Sequence, residues 1–243
     1  MTTLLRSILQ RGAAAAALCL ALAAPASASI YTITYTGTVD AGVDTTGYFF
    51  GDGQAHDLAG MAYRSTYTVN TAVGTTNSTA TSILVGGGLI LSTATPIISA
   101  ALTINGKSTS AFAGETFGFD SREIVPLAPF DRVGTYAYQE DPITTYVEYL
   151  TNSVYSSIND FLSMLQLDAA FSYDVAPGDL VSGDFRFKTA SLDARGQFTV
   201  SHVEVGQVVP EPATAALLAL GLGVGLGVRS VRRRRAHPTA QAS

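Results

Sequence analysis

Two histidines, His56 and His202, are the side chains in the middle of this chain best suited to acid–base or nucleophilic chemistry. A serine nucleophile would also need a base and an oriented acid, and the sequence has no Gly-x-Ser-x-Gly turn to present the serine. No pair of histidines has the spacing of zinc ligands. We therefore expect His56 to be a solvated turn residue and His202 a half-exposed strand residue.

Four aspartates lie among glycines in the segment 40–57 and offer oxygen atoms to a hard cation. They are Asp40, Asp44, Asp52 and Asp57. Calcium binds several carboxylate and carbonyl oxygens in flexible geometry, so this segment is the candidate calcium site, although its spacing matches no EF-hand loop. The alternative interpretation is that these aspartates are solvated turn residues. No other metal or cofactor is predicted.

Acidic side chains also occur that could supply the paired carboxylates of a glycoside hydrolase. The candidates are Glu115, Asp120, Glu123, Glu140, Asp141 and Glu148. The sequence has no tryptophan, which sugar-binding clefts commonly use for stacking, and this absence disfavours a polysaccharide hydrolase. Tyrosines could still form a surface that contacts a sugar or a protein, and the candidates are Tyr136, Tyr138, Tyr146, Tyr149 and Tyr155.

Charge is distributed unevenly along the chain. Residues 29–208 contain seven Lys or Arg and eighteen Asp or Glu, a net charge of −11, whereas the whole chain carries −5. A region this acidic repels anionic polymers, so nucleic acid is not an expected partner. The single cysteine, Cys19, lies in the N-terminal apolar segment, which excludes a thiol catalyst or a disulfide framework in residues 29–208.

A period of two in the apolar side chains predicts strands through most of the central region. Tyr31, Ile33 and Tyr35, for example, alternate with threonines and should share a buried face. Asn105-Gly106 between two alternating runs predicts a tight hairpin. The predicted strands are 31–36, 62–69, 98–104, 107–112, 135–138, 144–150, 169–175, 180–187 and 196–205. The apolar face of the third is expected at Ile98, Ala100, Leu102 and Ile104.

One segment, 156–165, has the spacing of a helix instead. Its apolar residues Ile158, Phe161, Leu162 and Leu165 lie at i, i+3, i+4 and i+7 behind serines that could cap a helix. We therefore expect a short helix packed on the sheet. The fold class predicted is all-β, a β-sandwich of jelly-roll or immunoglobulin-like type with about 8–10 strands and one short helix.

The N-terminal residues 1–28 have the pattern of a secretory signal peptide. Arg6 and Arg11 precede an apolar stretch, and Ala26 and Ala28 form a small-x-small cleavage site around Ser27. Cleavage after Ala28 would leave residues 29–208 as the exported domain.

The C-terminal residues 209–235 combine a Pro-Glu-Pro box (Pro210, Glu211, Pro212), an apolar run at 213–228 and a basic stop. The stop consists of Arg229, Arg232, Arg233, Arg234 and Arg235, and residues 236–243 form a short tail that should stay cytoplasmic. As a helix, 213–228 would reach about 24 Å, against about 30 Å of bilayer hydrocarbon. Such a segment favours a transient membrane span over a durable one.

This order of elements resembles the PEP-CTERM sorting signal of Gram-negative envelope proteins, whose box matches Pro210, Glu211 and Pro212. The resemblance implies an exosortase that cuts near the box, a transient inner-membrane intermediate, and delivery to the cell surface or the extracellular matrix. It also implies a link to exopolysaccharide and biofilm. The same segment is known as an ice-binding protein C-terminal domain, but the central region has no Thr-x-Thr repeat of fixed period, so ice binding is not inferred.

The sequence therefore favours a non-enzymatic, exported cell-envelope or matrix protein that is sorted by an exosortase. One alternative is a surface module that binds a glycan or a protein, with calcium as a stabilising ion. A second alternative is an exported hydrolase.

Overall fold

The protein is described by a computed structural model over residues 30–111, 117–124, 130–141, 143–144 and 146–206. These residues form thirteen strands and one short 3₁₀ turn (Leu89–Leu91). The strands are β1 (Ile30–Asp44), β2 (His56–Asp57), β3 (Ala62–Asn70), β4 (Thr75–Ser78), β5 (Ser82–Gly87), β6 (Ile97–Ile104), β7 (Lys107–Ala111), β8 (Phe117–Ile124), β9 (Asp131–Asp141), β10 (Tyr146–Ser156), β11 (Phe171–Asp174), β12 (Leu180–Lys188) and β13 (Asp193–Val205).

All strand pairs are antiparallel, and the strands join into one sheet. Its order is β4-β5-β8-β9-β10-β12-β13-β1-β3-β6-β7, with β11 paired to β13 and β2 paired to β1. The sheet curls so that β1 and β3 face β8, β9 and β10 across the interior. The all-β prediction is confirmed, but the described residues contain more strands than predicted, in one curled sheet.

The longest predicted alternations are confirmed. Tyr31, Ile33 and Tyr35 of β1 are fully buried, as a strand with one face on the core requires. β1 then has two irregularities in its register with β13, the first between Thr36 and Gly37. A Cβ atom on Gly37 would lie 2.0 Å from the carbonyl oxygen of Thr199, so only glycine allows the two strands to approach this closely.

The Asn105-Gly106 hairpin is confirmed, and both residues have positive φ angles, 51° and 71°, as the predicted turn requires. The face assigned to β6 was wrong at one position. Ile98 is exposed and Ile97 is buried, because the register with β3 shifts by one residue between Thr68 and Val69. The shift lies at the start of β6, and beyond it the expected alternation holds.

The predicted helix at 156–165 was wrong. Residues 157–170 form an irregular segment that follows β10. The backbone N–H groups of Phe161 and Leu162 donate to the Asp131 carboxylate, so they are not available for helical hydrogen bonds. Leu162 and Leu167 are buried, and the segment covers the interior at this end of the sheet. The apolar spacing was therefore that of a loop packed on the core.

Three strands of more than two residues were not predicted, namely β4, β5 and β8. β4 is entirely exposed and polar, and β5 ends in glycines, so neither has a strong strand pattern. In β8 the usual pattern is inverted, because the buried face carries Asp120 and Arg122 while Phe117 and Phe119 are only partly buried. A polar interior face cannot be recognised from hydrophobic alternation alone.

A chain of hydrogen bonds crosses the interior between β1 and the strands β8 and β9. Tyr31 Oη donates to Asp120 Oδ2 at 2.6 Å, and Thr135 Oγ1 donates to Asp120 Oδ1 at 2.8 Å. Tyr35 Oη lies 2.9 Å from Thr135 Oγ1 and donates to it, since the Thr135 proton is already used. Burial raises the pKa of Asp120, while the Arg122 guanidinium opposes this shift.

Arg122 is buried beneath the segment 157–170. Its guanidinium donates to the carbonyl oxygens of Leu167 and Ala169 and lies 4.8 Å from the centre of the Phe171 ring. A charged side chain is tolerated in the interior only where hydrogen bonds and a counter-charge compensate for lost hydration. The covering segment therefore helps to stabilise the polar face of β8.

A second buried cluster joins β3 to β10 through Asn152. Its Oδ1 atom accepts from Tyr63 Oη at 3.0 Å, and its Nδ2 atom donates to Ser65 Oγ and Tyr67 Oη, both at 2.9 Å. Tyr67 also packs edge-on against Tyr35, with ring centres 6.0 Å apart. The two halves of the curled sheet are thus held in register by directional bonds as well as by apolar packing.

We predict that Asn152→Ala lowers the free energy of unfolding by about 3 kcal/mol, because it leaves three buried hydroxyl groups without their amide partner. Urea unfolding followed by tyrosine fluorescence would measure this loss. Ser153→Ala is the matched control, because Ser153 bonds only at the surface, to Ser182, and should change stability by less than about 0.5 kcal/mol. Equal unfolding midpoints for both variants would contradict the prediction.

We also predict a pH-dependent difference between the native protein and Asp120→Asn. The folded-state pKa of Asp120 is raised above its ordinary value of 3.8, so the folded protein retains this proton longer than the unfolded chain. The contribution of Asp120 to stability therefore falls as pH rises from about 3.8 through the raised pKa. Over this window, the stability of the native protein relative to Asp120→Asn should decline. Unfolding midpoints measured at a series of pH values would check this, and parallel profiles would rule it out.

Candidate functional site

The outer face of the curled sheet carries two rows of side chains that run across the strands β8, β9, β10, β12, β13 and β1. The first row is Phe117, Tyr138, Tyr149, Arg186, Arg195 and Val43. The second row is Phe119, Tyr136, Thr151, Asp184, Gln197 and Ala41. Every member is at least partly exposed. We call these two rows the outer band, and at about 4.8 Å per strand it is about 24 Å long.

One end of the outer band is aromatic. The rings of Tyr136 and Tyr138 are nearly parallel, with an interplanar angle of 11° and centres 6.3 Å apart. Phe119 stacks on Tyr136 with centres 5.6 Å apart and an angle of 24°, and Phe117 lies against both. These four side chains form a partly exposed platform on β8 and β9.

Toward its other end the outer band carries polar side chains on β12 and β13, and it contains an open cavity of about 580 Å³. Asp184, Arg195 and Gln197 line it, and Tyr149 connects it to the aromatic platform. Gly196 lies opposite Gly42 on the neighbouring strand, and a Cβ on Gly196 would approach the Phe185 ring to 2.7 Å. The Cβ of residue 196 would point to the inner side of the sheet, so glycine at this position lets β13 lie against the buried Phe185 ring.

The tyrosines of the outer band are hydrogen-bond donors at neutral pH. The hydrogen bond from Tyr138 to Glu140 raises the pKa of Tyr138 to about 12. Burial and the nearby Asp184 carboxylate raise the pKa of Tyr149, which is hydrogen-bonded to Asp184. Burial and Asp184 act in the same direction on the pKa of Tyr136. Their protonated hydroxyl groups make the platform amphipathic.

A serine, a histidine and an aspartate meet on β11 and β13, a feature that sequence spacing did not indicate. His202 Nδ1 lies 2.6 Å from Asp174 Oδ1, and Ser172 Oγ lies 3.5 Å from His202 Nε2. The connectivity is that of a nucleophile, a base and an orienting acid, but the Asp174 side chain is 92% exposed and none of the three lines the cavity of the outer band. His202 is half-exposed on a strand, as predicted.

His56 is less solvated than expected. Its ring stacks on Phe50 with centres 3.8 Å apart, and Nε2 lies 2.8 Å from Asp52 Oδ2. The residue belongs to the two-residue strand β2, which pairs with the end of β1. Within the described residues, no hydrogen bond joins His56 to a serine.

The four aspartates of the candidate calcium site each bond separately. Asp44 is buried and accepts from the backbone N–H groups of Thr46 and Phe49, which shapes the loop after β1. Asp40 accepts from the hydroxyl of Thr199 on β13. Asp52 and Asp57 accept from the backbone N–H groups two residues ahead, those of Gln54 and Ala59. Over the described parts of the chain, no three His, Cys, Asp or Glu side chains are grouped to hold a metal ion.

Among the candidate glycosidase carboxylates, Glu115 lies outside the described residues. Asp120 is in the interior. Glu140 pairs with Val147 and Glu148 with Gln139, so Glu140 and Glu148 point to opposite faces of the sheet. Burial raises the pKa of Glu148, which lines a smaller cavity with Gln139 and Tyr146. Two carboxylates on opposite faces cannot flank one glycosidic bond.

Among the tyrosines expected to form a contact surface, the structure brings Tyr136, Tyr138 and Tyr149 together in the outer band. Tyr155 lies further along the same face and packs against Phe130. Tyr146 lines the smaller cavity with Glu148. Sequence reasoning missed Asp184, Arg186, Arg195 and Gln197, because only the strand register places them beside the tyrosines.

The signal peptide, including Ala26 and Ala28, and the sorting segment lie outside the described residues, so their predicted boundaries stay predictions. No helix in the described part of the chain has both the length and the apolar character needed to cross a membrane. The last described residue, Gly206, donates its backbone N–H to the carbonyl oxygen of Thr32 on β1.

Comparison with family models identifies residues 208–235 as a PEP-CTERM protein-sorting motif. The chain therefore carries the motif that its Pro-Glu-Pro box, apolar run and basic stop predicted. The motif implies export through the membrane, an exosortase as processing partner, and the surface of a Gram-negative cell as destination. Comparisons with curated proteins and with solved structures found no match to the chain.

Proposed function

We propose that the protein is a non-enzymatic, exported component of the cell envelope or extracellular matrix, displayed through its PEP-CTERM motif. The observation that supports this most directly is the match of residues 208–235, which covers the box, the apolar run and the basic stop. After cleavage behind Ala28, the chain pauses in the inner membrane through 213–228 until the exosortase acts. Its acidic β-domain is then released to exopolysaccharide or biofilm material.

A non-catalytic role is supported by the dispersion of candidate catalytic groups. The Ser172–His202–Asp174 constellation is exposed to water, which weakens every electrostatic interaction that a triad uses. Among the described acidic candidates, Glu140 and Glu148 lie on opposite faces of the sheet, and Asp120 lies in the interior. We propose that the domain works without a cofactor, since the aspartates of the candidate calcium site each bond within their own loop or strand pair.

A second candidate function, a binding module, is favoured by the outer band. An aromatic platform beside an open cavity with a few polar side chains is the composition of a ligand surface, in which apolar contacts supply affinity and the polar groups fix orientation. The two roles are compatible, because a matrix protein can be held in place by what it binds.

We predict that replacing Pro210, Glu211 and Pro212 with alanine leaves export intact and holds the protein in the inner membrane. The exosortase would then lack its recognition sequence, while the signal peptide and the apolar run remain. Fractionation of cells that carry an exosortase would show the variant shifting from the surface to the inner membrane. Pro238→Ala, in the tail beyond the motif, is the control and should leave delivery unchanged. Unchanged surface delivery of the triple variant would refute the proposal.

We further predict that the purified protein does not hydrolyse p-nitrophenyl acetate faster than Ser172→Ala or His202→Ala. The reason is that the exposed constellation lacks the dry, preorganised surroundings on which nucleophilic catalysis depends. Initial rates should agree among the three proteins within about twofold. Turnover by the native protein that both substitutions abolish would instead establish a hydrolase.

A further inference from the structure

We propose that the outer band binds a neutral polysaccharide, with sugar rings on the aromatic platform and hydroxyl groups against the polar side chains that line the open cavity. This inference deepens the binding role proposed above and rests on it. It assigns a ligand class to one surface of the domain, on the evidence of the shape, composition and charge of that surface.

The platform fits the apolar face of a sugar ring. Tyr136 and Tyr138 present nearly parallel rings, and Phe119 extends the stack. One face of a pyranose carries mainly C–H groups, which pack on an aromatic ring, while its hydroxyl groups project from the edges. The Tyr136 hydroxyl stays protonated at neutral pH and can donate to such an edge, whereas the Tyr138 hydroxyl donates to Glu140 and can accept from one.

The polar end fits the hydroxyl groups. Asp184 accepts hydrogen bonds, Gln197 both donates and accepts, and the fork of Arg195 can donate to two neighbouring oxygens. Tyr149 lies at the junction, opposite Tyr138 on one side and Arg186 on the other. The platform and the cavity are therefore adjacent parts of one surface that an extended polymer could follow.

The charges favour a polar, uncharged ligand over a protein partner. Asp184, Arg186 and Arg195 lie together on β12 and β13 of the band, whereas the core of a protein interface is depleted in charged residues. A sugar chain can hydrogen-bond to these groups without burying them completely. The surrounding domain has a net charge of −11 over residues 29–208, which repels an anionic polysaccharide.

The length of the surface indicates a polymer. The outer band extends for about 24 Å across six strands, and one sugar would cover only part of it. It contains no deep enclosed pocket that would select a chain end, because the cavity is open along the sheet. We therefore expect the outer band to contact internal sugar units of the polysaccharide, not its ends.

The test is affinity electrophoresis of the full chain, kept soluble in mild detergent, in native gels that contain dextran, galactomannan or mixed-linkage β-glucan. We expect at least one of these neutral polysaccharides to retard the native protein. The Tyr136→Ala and Asp184→Asn variants should each weaken that retardation about tenfold, since each removes one contact worth about 1–1.5 kcal/mol. Tyr48→Ala is the control, because Tyr48 bonds to Ser108 away from the outer band and should not alter retardation.

Thermal midpoints of all variants are compared, so that loss of folding is not taken for loss of binding. Because Asp184→Asn keeps the shape of the side chain, it tests the site even if Tyr136→Ala destabilises the sheet. The inference is overturned if none of the three polysaccharides retards the protein, or if only the polyanion alginate does so. It is also overturned if the variants alter self-association and leave retardation unchanged, since the band would then be a protein interface. Surface delivery is measured separately, so failure here leaves the proposed sorting role intact.

Discussion

The curl of the sheet depends on hydrogen bonds that cross the interior between its two halves. Asp120 and Asn152 are the centres of these bonds. Asp120 accepts from Tyr31 of β1, and Asn152 accepts from Tyr63 and donates to Ser65, both on β3. Apolar packing is non-directional and would allow one half to slide on the other. Buried polar groups must find their particular partners, because an unsatisfied group in the interior is strongly unfavourable. The facing of β1 and β3 against β8, β9 and β10 is fixed in this way.

The outer band is a consequence of the same register. Once β10 pairs with β9 and β12, Tyr149 must lie between Tyr138 and Arg186. Paired residues share a face of the sheet, so all three side chains lie on the outer face. The residues that alternate with them along each strand, including Asn152, are held on the inner face by the interior hydrogen bonds. Core and surface are thus coupled, since a slip of one residue would bury the tyrosines and expose the asparagine. The surface that we assign to a ligand is as well defined as the core.

Much of the fold could be predicted from strong local patterns, and the failures have identifiable causes. β1, β3 and the Asn105-Gly106 hairpin follow from alternation and turn chemistry, which are local properties. The segment 157–170 misled because helical spacing also suits a loop whose apolar side chains pack on a core, and the Asp131 carboxylate takes the N–H groups that a helix needs. β8 was missed because its buried face is polar. The candidate site was predicted only as a surface of tyrosines, without Asp184 and Arg195.

The sequence by itself determined the sorting motif at 208–235, the all-β class and the acidity of the exported region. The motif follows from the order of neighbouring residues, the fold class from their alternation, and the acidity from composition. Only the tertiary structure decided which side chains meet. Ser172, His202 and Asp174 come together through the pairing of β11 with β13, and the aspartates of 40–57 stay apart because each bonds within its own turn or strand pair. Long-range strand pairing sets these distances. The pairing depends on packing throughout the interior, so it cannot be predicted from a local sequence pattern.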